Sequence, residues 1–415
     1  MMRWLAAVTV VLGLATATAR ADGSADGSAA APAAAAQPDD YPHIYLVTMG
    51  IGSLIWERHG HIALCVEYAP GQEPECYNYG IGDFHDPLNM VWGFFRGTHS
   101  FWAGKDLWRN MMAVYYQFDR TIWKQLLPLT PAQKQKVLVK LESDILEENR
   151  YYAYDHFADN CTTRIRNIID DATDGALRNM PDQSDGRTFR DYARDGFAGM
   201  RIPLLGTDIA MGRTTDRAPS FWERMFLPQY LREAVQQRWG IKPVPVYVRK
   251  ECRAEYKLAA EQHRAPDDSC VERGVPTVED PPSGRVIVAL VLLLLTAPAW
   301  LTRLWGRLQR TGLAFAVIPY WLLGSIFTFL AIISPLPYVT WNETCLVWLP
   351  LDIIVVFAGE RLQLRYAKAR LAMIALMIVA MIVGLLKQPL WPELVWPLVP
   401  MLSIVLLPRT RRSGS

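Results

Sequence analysis

The sequence has no large surplus of charge of either sign. It contains 43 Lys and Arg residues against 41 Asp and Glu residues, so its formal net charge is +2 at pH 7. The small basic surplus lies largely in the apolar second half of the chain. The charge balance therefore gives no indication of a nucleic-acid partner, and none is expected.

Aromatic residues are absent from residues 22–40, DGSADGSAAAPAAAAQPDD, which consist mostly of Ala, Gly, Ser and Pro. Such a segment is predicted to be a flexible linker. Residues 1–21 before it combine a basic start, an apolar run and the small-residue motif ARA. This pattern is typical of a secretory signal peptide that is cleaved before Asp22, with an uncleaved membrane anchor as the alternative.

Between the predicted signal peptide and about residue 285 long apolar runs are lacking, and after that they become dominant. Five candidate membrane spans follow, at 285–302, 313–335, 343–358, 371–387 and 391–407. Each approaches the ~20 residues that a bilayer crossing needs, and the third is the shortest. The sequence therefore predicts a membrane domain at 284–407 with about five transmembrane helices.

Lys and Arg are absent from alternate loops of this region. The segments 336–342 and 388–390 contain neither residue, whereas 302–312, 359–370 and the tail 408–415 are basic. The positive-inside rule places the basic segments in the cytoplasm. The first span then runs inward, which leaves 41–283 as an exported domain of roughly 240 residues, enough for one substantial core.

Cysteine is scarce, and the exported domain contains five of the six residues. In an oxidising compartment cysteines are expected to pair. Four of them form two candidate disulfides, Cys65–Cys76 across the turn APGQEP and Cys252–Cys270 around a polar loop. Cys161 has no obvious partner, so it is either an inert buried cysteine or a thiol that the protein uses.

A helix is predicted to begin at Cys161, within the stretch YDHFADNCTTRIR. Asn160 or Asp159 can cap its start. Apolar residues recur downstream at the spacing of one helix face, namely Ile165, Ile168 and Ile169. Because Cys161 then lies in the first turn, with Arg164 and Arg166 nearby, we expect the pKa of this thiol to be lowered, as a nucleophile requires.

A histidine that could serve this thiol lies in ERHGHIALCVEY. His59 and His61 are two residues apart before a strand-like run, so they are predicted to share one face of a strand. The stretch ECYNYGIGDF reads as the returning strand. If the two cysteines of this hairpin are opposite each other, Asn78 falls diagonal to His61 and can orient its imidazole.

The order histidine, polar residue, cysteine is that of the circularly permuted papain-like enzymes, including NlpC/P60-related proteins and the lecithin:retinol acyltransferase group. Four segments occur in order, namely WERHGHIAL, YNYGIGDF, YAYDHFADNCTTRIR and GTDIAMGRTTDRAPSFWERMFLPQYL. Together they resemble the exported domain of the bacterial lipoprotein N-acyltransferase Lnb family, over about residues 41–240. The resemblance implies an α+β, permuted papain-like domain followed by an all-α membrane domain.

For the site, the resemblance implies that Cys161 is the nucleophile and that His61, in the motif GH, is the base. His59 stands where the family usually has an aromatic residue such as Phe. Asn78 is the candidate third catalytic residue. Further residues are candidates for substrate binding, namely Asn160, Arg164, Arg213 and Asp216, with a surface ion pair as the alternative for the last two.

The implied reaction transfers a fatty acyl chain from a phospholipid to Cys161 and then to the N-terminal amine of a diacylglyceryl-cysteine lipoprotein. Backbone N–H groups at the helix start could stabilise the oxyanion. No cofactor is expected. The implied location is the bacterial inner membrane, with the catalytic domain in the periplasm and the C-terminus in the cytoplasm.

Three alternatives remain open at this point. The same Cys–His pair could serve a membrane-tethered peptidase or amidase that acts on cell-wall peptide, or an intramolecular lipoprotein transacylase that produces the lyso form. A metal-binding sensor would use His59, His61 and Cys65, but this spacing is too spread for a closed tetrahedral site. The oligomeric state is left open.

Two other stretches have local predictions. Residues 130–149 are predicted to form a helix with Thr130 as N-cap and Pro131 at its first position. The aromatic stretch MVWGFFRGTHSFW, residues 90–102, is predicted to be core or a strand edge. Its alternative is an aromatic lip at the lipid headgroups.

Overall fold

The computed structural model describes residues 40–83, 86–98, 100–197, 200–267 and 284–407. The predicted signal peptide, the linker apart from Asp40, Cys270 and the basic tail lie outside the described residues.

The first half of the described chain is α+β and is built on one seven-stranded sheet. The strands are β1 His43–Met49, β2 His61–Glu67, β3 Glu75–Gly82, β4 Phe101–Leu107, β5 Ile122–Leu126, β6 Tyr151–Tyr152 and β7 Val244–Tyr247. Their order in the sheet is β6-β4-β3-β2-β1-β5-β7, and every neighbouring pair is antiparallel. The α+β class is thus as predicted, while the papain-like permutation stays a prediction.

Nine helices are described in this half. They are α1 Pro87–Arg96, α2 Trp108–Gln117, α3 Pro131–Asp144, α4 Cys161–Ala172, α5 Phe189–Gly196, α6 Arg201–Ala210, α7 Phe221–Arg224, α8 Pro228–Trp239 and α9 Arg253–Glu261. Helix α3 begins as predicted, because the Thr130 side chain accepts a hydrogen bond from the backbone N–H of Gln133. The strand-edge prediction for 90–102 is wrong in its first part, because the Asp86 side chain caps a helix there that continues to Arg96.

The β2–β3 hairpin has the predicted register. Cys65 lies opposite Cys76, and these two residues form a disulfide. The ladder ends with Ala63 opposite Asn78. Beyond Asn78, β3 shifts its register against β4 before Ile81, through Gly80 with a φ of 77°. A bulge of this kind re-aims the strand and commonly lies beside a functional site.

Helix α4 packs on the centre of the sheet. Its residues Ile165 and Ile169 are completely buried in one core with Ile62, Leu64 and Tyr79 of the two central strands. Burial of such side chains contributes about 1.5–3 kcal/mol each, so this contact is a major part of the domain's stability. The packing brings the first turn of α4 to the start of β2.

The second half of the described chain is helical. Its helices are α10 Gly284–Leu304, α11 Gln309–Ile333, α12 Pro337–Thr340, α13 Thr344–Val347, α14 Ile354–Phe357, α15 Glu360–Ile382 and α16 Val395–Leu406. Three segments are long and apolar enough to cross a membrane, namely Arg285–Leu304, Gln309–Ile333 and Pro337–Phe357. The last two predicted spans overlap α15 and the shorter apolar helix α16.

Polar contacts identify the two ends of this helical bundle. At one end Arg303 donates hydrogen bonds to the Leu407 carbonyl at 2.9 Å and the Gln363 side chain at 3.1 Å. At the other end the backbone N–H of Gln388 donates to the Glu343 carboxylate at 2.9 Å. This second end holds the loops without Lys or Arg, and it contacts the α+β half, because Gln388 also donates to the carbonyl of Asp208 in α6.

Candidate active site

Cys161 occupies the first position of α4, and Asn160 is the N-cap of this helix. The Asn160 side-chain oxygen accepts hydrogen bonds from the N–H groups of Thr162 at 2.8 Å and Thr163 at 2.9 Å. Its amide nitrogen donates to the carbonyls of His156 and Phe226 at 2.7 and 2.8 Å. Asn160 therefore holds the helix start in place, and its hydrogen-bonding groups are occupied by the protein itself.

Hydrogen bonds within the loop 155–159, just before Cys161, hold its conformation. Asp155 and Asp159 exchange backbone hydrogen bonds of 3.1 and 3.0 Å. The Asp155 carboxylate also accepts from the N–H groups of Phe157 and Ala158. A loop with these bonds presents the thiol in one defined position.

His61 is the first residue of β2, and its Nε2 lies 3.2 Å from Oδ1 of Asn78. The Asn78 amide nitrogen donates to the carbonyl of Cys76 at 3.3 Å, which leaves its oxygen turned toward the imidazole. Because an amide oxygen only accepts, Nε2 must carry the proton. The other ring nitrogen, Nδ1, is then the one with a free lone pair.

Backbone N–H groups surround the thiol of Cys161. Those of Cys161 itself, Thr162 and Ile62 all point toward Sγ, and the Thr162 hydroxyl lies 3.8 Å from it. Ile62 directly follows His61, so the beginning of β2 contacts the candidate nucleophile through its main chain. N–H groups arranged in this way can stabilise negative charge that develops beside the sulfur.

Both titratable groups of this pair are neutral at rest. Burial raises the pKa of the Cys161 thiol to about 11, although the hydrogen bonds from Thr162 and the backbone N–H groups oppose this effect. Burial and the positive charge of Arg120 lower the pKa of His61 to about 4, against the hydrogen bond to Asn78. The pair is therefore a thiol and a neutral imidazole, so proton transfer must accompany nucleophilic attack.

The expectation that Cys161 has a lowered pKa is wrong, because loss of solvent outweighs the helix N-terminus. Nor do the two arginines add free positive charge at the sulfur. Arg164 makes two hydrogen bonds of 2.7 and 2.8 Å to the Asp159 carboxylate and stacks over the ring of Tyr152. Arg166 lies over the Trp222 ring.

Aromatic side chains that sequence reasoning left without a role line this site. The Tyr115 ring of α2 stacks 6.3 Å from His61, and burial raises its pKa to about 12. Gly80 lets β3 approach closely, because a Cβ there would lie 3.3 Å from the Tyr154 ring and 3.7 Å from Cβ of Cys161. The stretch YAYD just before Cys161 was a signal for Tyr152 and Tyr154, but nothing marked Tyr115.

His59 lies in a different environment, and the prediction that it shares a strand face with His61 is wrong. Gly60, with a φ of 75°, separates it from β2, which begins only at His61. The His59 ring packs against His156 at 4.8 Å and Phe197 at 5.3 Å. Burial, with smaller contributions from His156 and Arg58, lowers its pKa well below 6.5.

The other candidate substrate-binding residues lie toward the helical half. Arg213 donates to the Leu385 carbonyl at 3.2 Å and lies 3.6 Å from the Glu343 carboxylate. Asp216 accepts two hydrogen bonds, of 2.7 and 2.8 Å, from the buried Arg190. Within the described part of the chain, neither side chain has a contact with the thiol or with His61.

The disulfide removes Cys65 from any metal site that it could have formed with the two histidines. No group of three or more potential ligands is placed to hold a metal ion in the residues that the structure describes. Cys252 is buried and disulfide-bonded, and its predicted partner Cys270 is outside the described residues. Cys161 is a free thiol.

Comparison with known proteins finds one family. Residues 32–192 match the model of the Lnb N-terminal periplasmic domain. No curated protein and no solved structure matches the chain. The matched range includes the catalytic candidates Cys161, His61 and Asn78 and three of the four resembling segments. Over residues 32–192 this chain is therefore similar to the Lnb N-terminal periplasmic domain family.

Proposed function

We propose that this protein is a lipoprotein N-acyltransferase. It moves a fatty acyl chain from a phospholipid, through a thioester on Cys161, to the N-terminal amine of a diacylglyceryl-cysteine lipoprotein. The observation that carries the proposal lies inside the family match. A free thiol at a helix start contacts the N–H beside His61, and His61 is held by Asn78.

In the first half-reaction the thiol attacks the ester carbonyl of the donor. Nδ1 of His61 takes the thiol proton as the sulfur–carbon bond forms. The N–H groups of Thr162 and Ile62 support the oxyanion. The carbon–oxygen bond of the ester then breaks, and His61 returns the proton to the departing lysophospholipid oxygen. The acyl chain remains on Cys161.

In the second half-reaction the neutral amine of the lipoprotein attacks the thioester. His61 takes a proton from the attacking nitrogen, the carbon–sulfur bond breaks, and the sulfur is reprotonated. Cys161 is only 9% exposed. A site this closed limits access of water to the thioester, which favours aminolysis over hydrolysis.

The helical half supports the choice of substrate class. Donor and acceptor are both lipids or lipid-anchored, and this chain has three segments that could cross a bilayer. An anchored catalytic domain meets such substrates at a high effective concentration. A periplasmic α+β half on the inner membrane, with the basic loops and the C-terminus in the cytoplasm, completes the proposal.

The decisive experiment incubates the purified protein with acyl-labelled phospholipid and no lipoprotein. We expect label on the peptide that contains Cys161, released by neutral hydroxylamine as thioesters are and amides are not. Cys161→Ser should show none while still accumulating in the membrane. Label that appears only after lipoprotein is added contradicts a thioester intermediate, and label on Cys65 or Cys76 identifies a different nucleophile.

Intact-mass analysis of lipoproteins distinguishes the alternatives. Cells with the protein should contain lipoproteins that carry one additional acyl chain compared with cells without it. A chain moved from the glyceryl group to the amine at constant mass indicates the intramolecular transacylase. Unchanged lipoproteins together with released cell-wall peptide indicate the peptidase or amidase.

A further inference from the structure

The first two turns of helix α1 present an apolar face that the described part of the protein leaves largely exposed. Leu88 is 83% exposed and Trp92 is 43% exposed, and Val91 between them is also exposed. The spacing i, i+3, i+4 places these three side chains on one face of the helix. Exposing an apolar row of this size to water is costly, and such a row commonly marks a surface that contacts a protein or a membrane.

This face continues into the surface of a candidate membrane helix. The Trp92 ring stacks on Phe329 of α11 with centroids 6.2 Å apart and planes 10° apart. Phe329 is itself 51% exposed, and Ile332 one turn further is also exposed. Gly97, which ends α1, lies so close to Pro335 that a Cβ would be 2.4 Å from the proline ring. Helix α1 therefore lies beside the C-terminal end of α11, which leads into the loop 336–342 without Lys or Arg.

A cation lies at one edge of the apolar row. The Arg96 guanidinium sits 5.8 Å from the centroid of the Trp92 ring, and Arg96 is exposed. An apolar row that includes a tryptophan and is bordered by a basic residue is typical of helices that lie in the headgroup region of a bilayer. The arginine can bind lipid phosphate, which a carboxylate at this position would repel.

The last turn of α1, after the exposed row, reaches the wall of the thiol site. Phe94 and Phe95 pack with residues at the end of α11 and the segment after it, namely Leu330, Leu336, Tyr338 and Val339. Phe94 also lies 6.3 Å from the ring of Tyr154. Tyr154 is the residue that approaches Gly80 beside Cys161. One short helix thus separates the nucleophile's aromatic wall from the exposed apolar row.

We propose that α1 is an interfacial helix whose Leu88, Val91 and Trp92 face is embedded in the periplasmic leaflet of the bilayer. The occupant of this face is lipid rather than a protein partner, because the face is continuous with the exposed surface of α11. Resting on the proposed function, the helix also sets where donor phospholipid meets the enzyme, next to the wall formed by Phe94 and Tyr154.

The first test measures depth and does not depend on catalysis. A nitroxide label is placed at position 88 or at position 139 of the full chain with Cys161 and Cys345 replaced by Ser, in phosphatidylethanolamine–phosphatidylglycerol vesicles. Val139 is a matched control, because it is 59% exposed and lies on α3 in the same half. We expect oxygen to relax the label at 88 more than a water-soluble nickel chelate does, and the reverse at 139.

Two results of this measurement overturn the proposal. A label at 88 that resembles the label at 139 places α1 in water. A label at 88 that is shielded from both reagents places it against protein, as a contact between copies of the chain would. Neither result affects the proposed acyltransferase activity.

The second test compares Leu88→Glu with Val139→Glu in the otherwise unchanged enzyme. We expect Leu88→Glu to lower acylation of Cys161 from phospholipid vesicles by about tenfold or more, since it weakens contact with the donor surface. Val139→Glu should stay within about twofold of the unchanged enzyme, as expected for a substitution at an exposed site. Both variants should react normally with a short-chain, water-soluble ester.

Full activity of Leu88→Glu on vesicles overturns the proposal. If Leu88→Glu fails with both substrates, the fold is damaged and the depth measurement decides. If the unchanged enzyme acylates nothing, the proposed function fails while the depth measurement still stands.

Discussion

His59 and His61 are two residues apart, yet they belong to different parts of the site. His61 opens β2, has Asn78 on one ring nitrogen and is followed by the N–H that contacts Cys161. His59 precedes the strand and packs on His156 and Phe197. Burial lowers the pKa of both rings. A lowered pKa therefore does not distinguish a base from a packed side chain, whereas an oriented ring with one free nitrogen does.

Substitutions of the two histidines should give the largest difference in the rate of thioester formation. We expect His61→Ala to reduce formation of the Cys161 thioester by about 10²–10⁴-fold, the usual contribution of a general base. His59→Phe should keep most of the activity, and His59→Ala a measurable part, since the ring there fills space. Rates of labelling by acyl-labelled phospholipid measure both. An inactive His59→Phe alongside an active His61→Ala would reverse the assignment.

The neutral state of the pair can be measured through the thiol. With a pKa of about 11 for Cys161, the rate of alkylation by iodoacetamide should rise about tenfold per pH unit from pH 7 to 9. A thiolate already formed at neutral pH would instead give a constant rate over this range. Cys161→Ser identifies the background reaction. His61→Ala should keep the slope, because burial rather than the imidazole raises the thiol pKa.

Substitutions of Asn78 test whether this residue orients His61. We expect Asn78→Ala to lower the rate by about tenfold, because the ring loses its orienting acceptor. Asn78→Asp keeps an acceptor and adds a negative charge, which raises the pKa of His61 from about 4 toward its ordinary value. Since a protonated ring cannot accept the thiol proton, this variant should lose activity between pH 7 and 5, where the unchanged enzyme does not. Identical pH profiles would show that Asn78 does not act on His61.

The smallest expected effect concerns stability. His59, His61 and His156 all have folded-state pKa values below 6.5, with His61 and His156 at about 4. The unfolded chain therefore binds more protons below pH 6.5, so the stability from neutral rings is present above that pH and is lost as the pH falls toward 4. His59→Phe should lose less thermal stability than the unchanged protein between pH 7.5 and 5.0 in detergent. A larger loss in the variant would contradict a buried neutral His59.

The strand register at His61 and Asn78 and the start of α4 can be predicted from the sequence, because both depend on local patterns. The side-chain period of two, with one opposed cysteine pair, is enough to place Asn78 diagonal to His61. A capping Asn and the isoleucine spacing are enough to start α4 at Cys161. The same period misplaces His59. Gly60, in a left-handed conformation, separates His59 from β2, which begins only at His61.

What could not be predicted depends on tertiary structure. The direction of the Cys161 pKa follows from how deeply α4 and β2 bury the sulfur, and no local pattern encodes that depth. Tyr115 comes to His61 from a helix 54 positions later in the chain, without a motif of its own. The aromatic stretch after residue 90 reads as core by composition, and only its packing beside α11 shows that one face is exposed.

The raised pKa of Cys161 also bears on oxidative folding. Thiol–disulfide exchange proceeds through the thiolate, and a pKa of about 11 leaves a thiolate fraction of about 10⁻⁴ at pH 7. Once α4 has docked, the free cysteine is therefore a poor attacking group toward the Cys65–Cys76 bridge. Mispairing is then a hazard mainly for chains that are still folding, when Cys161 is solvated and titrates as an ordinary thiol.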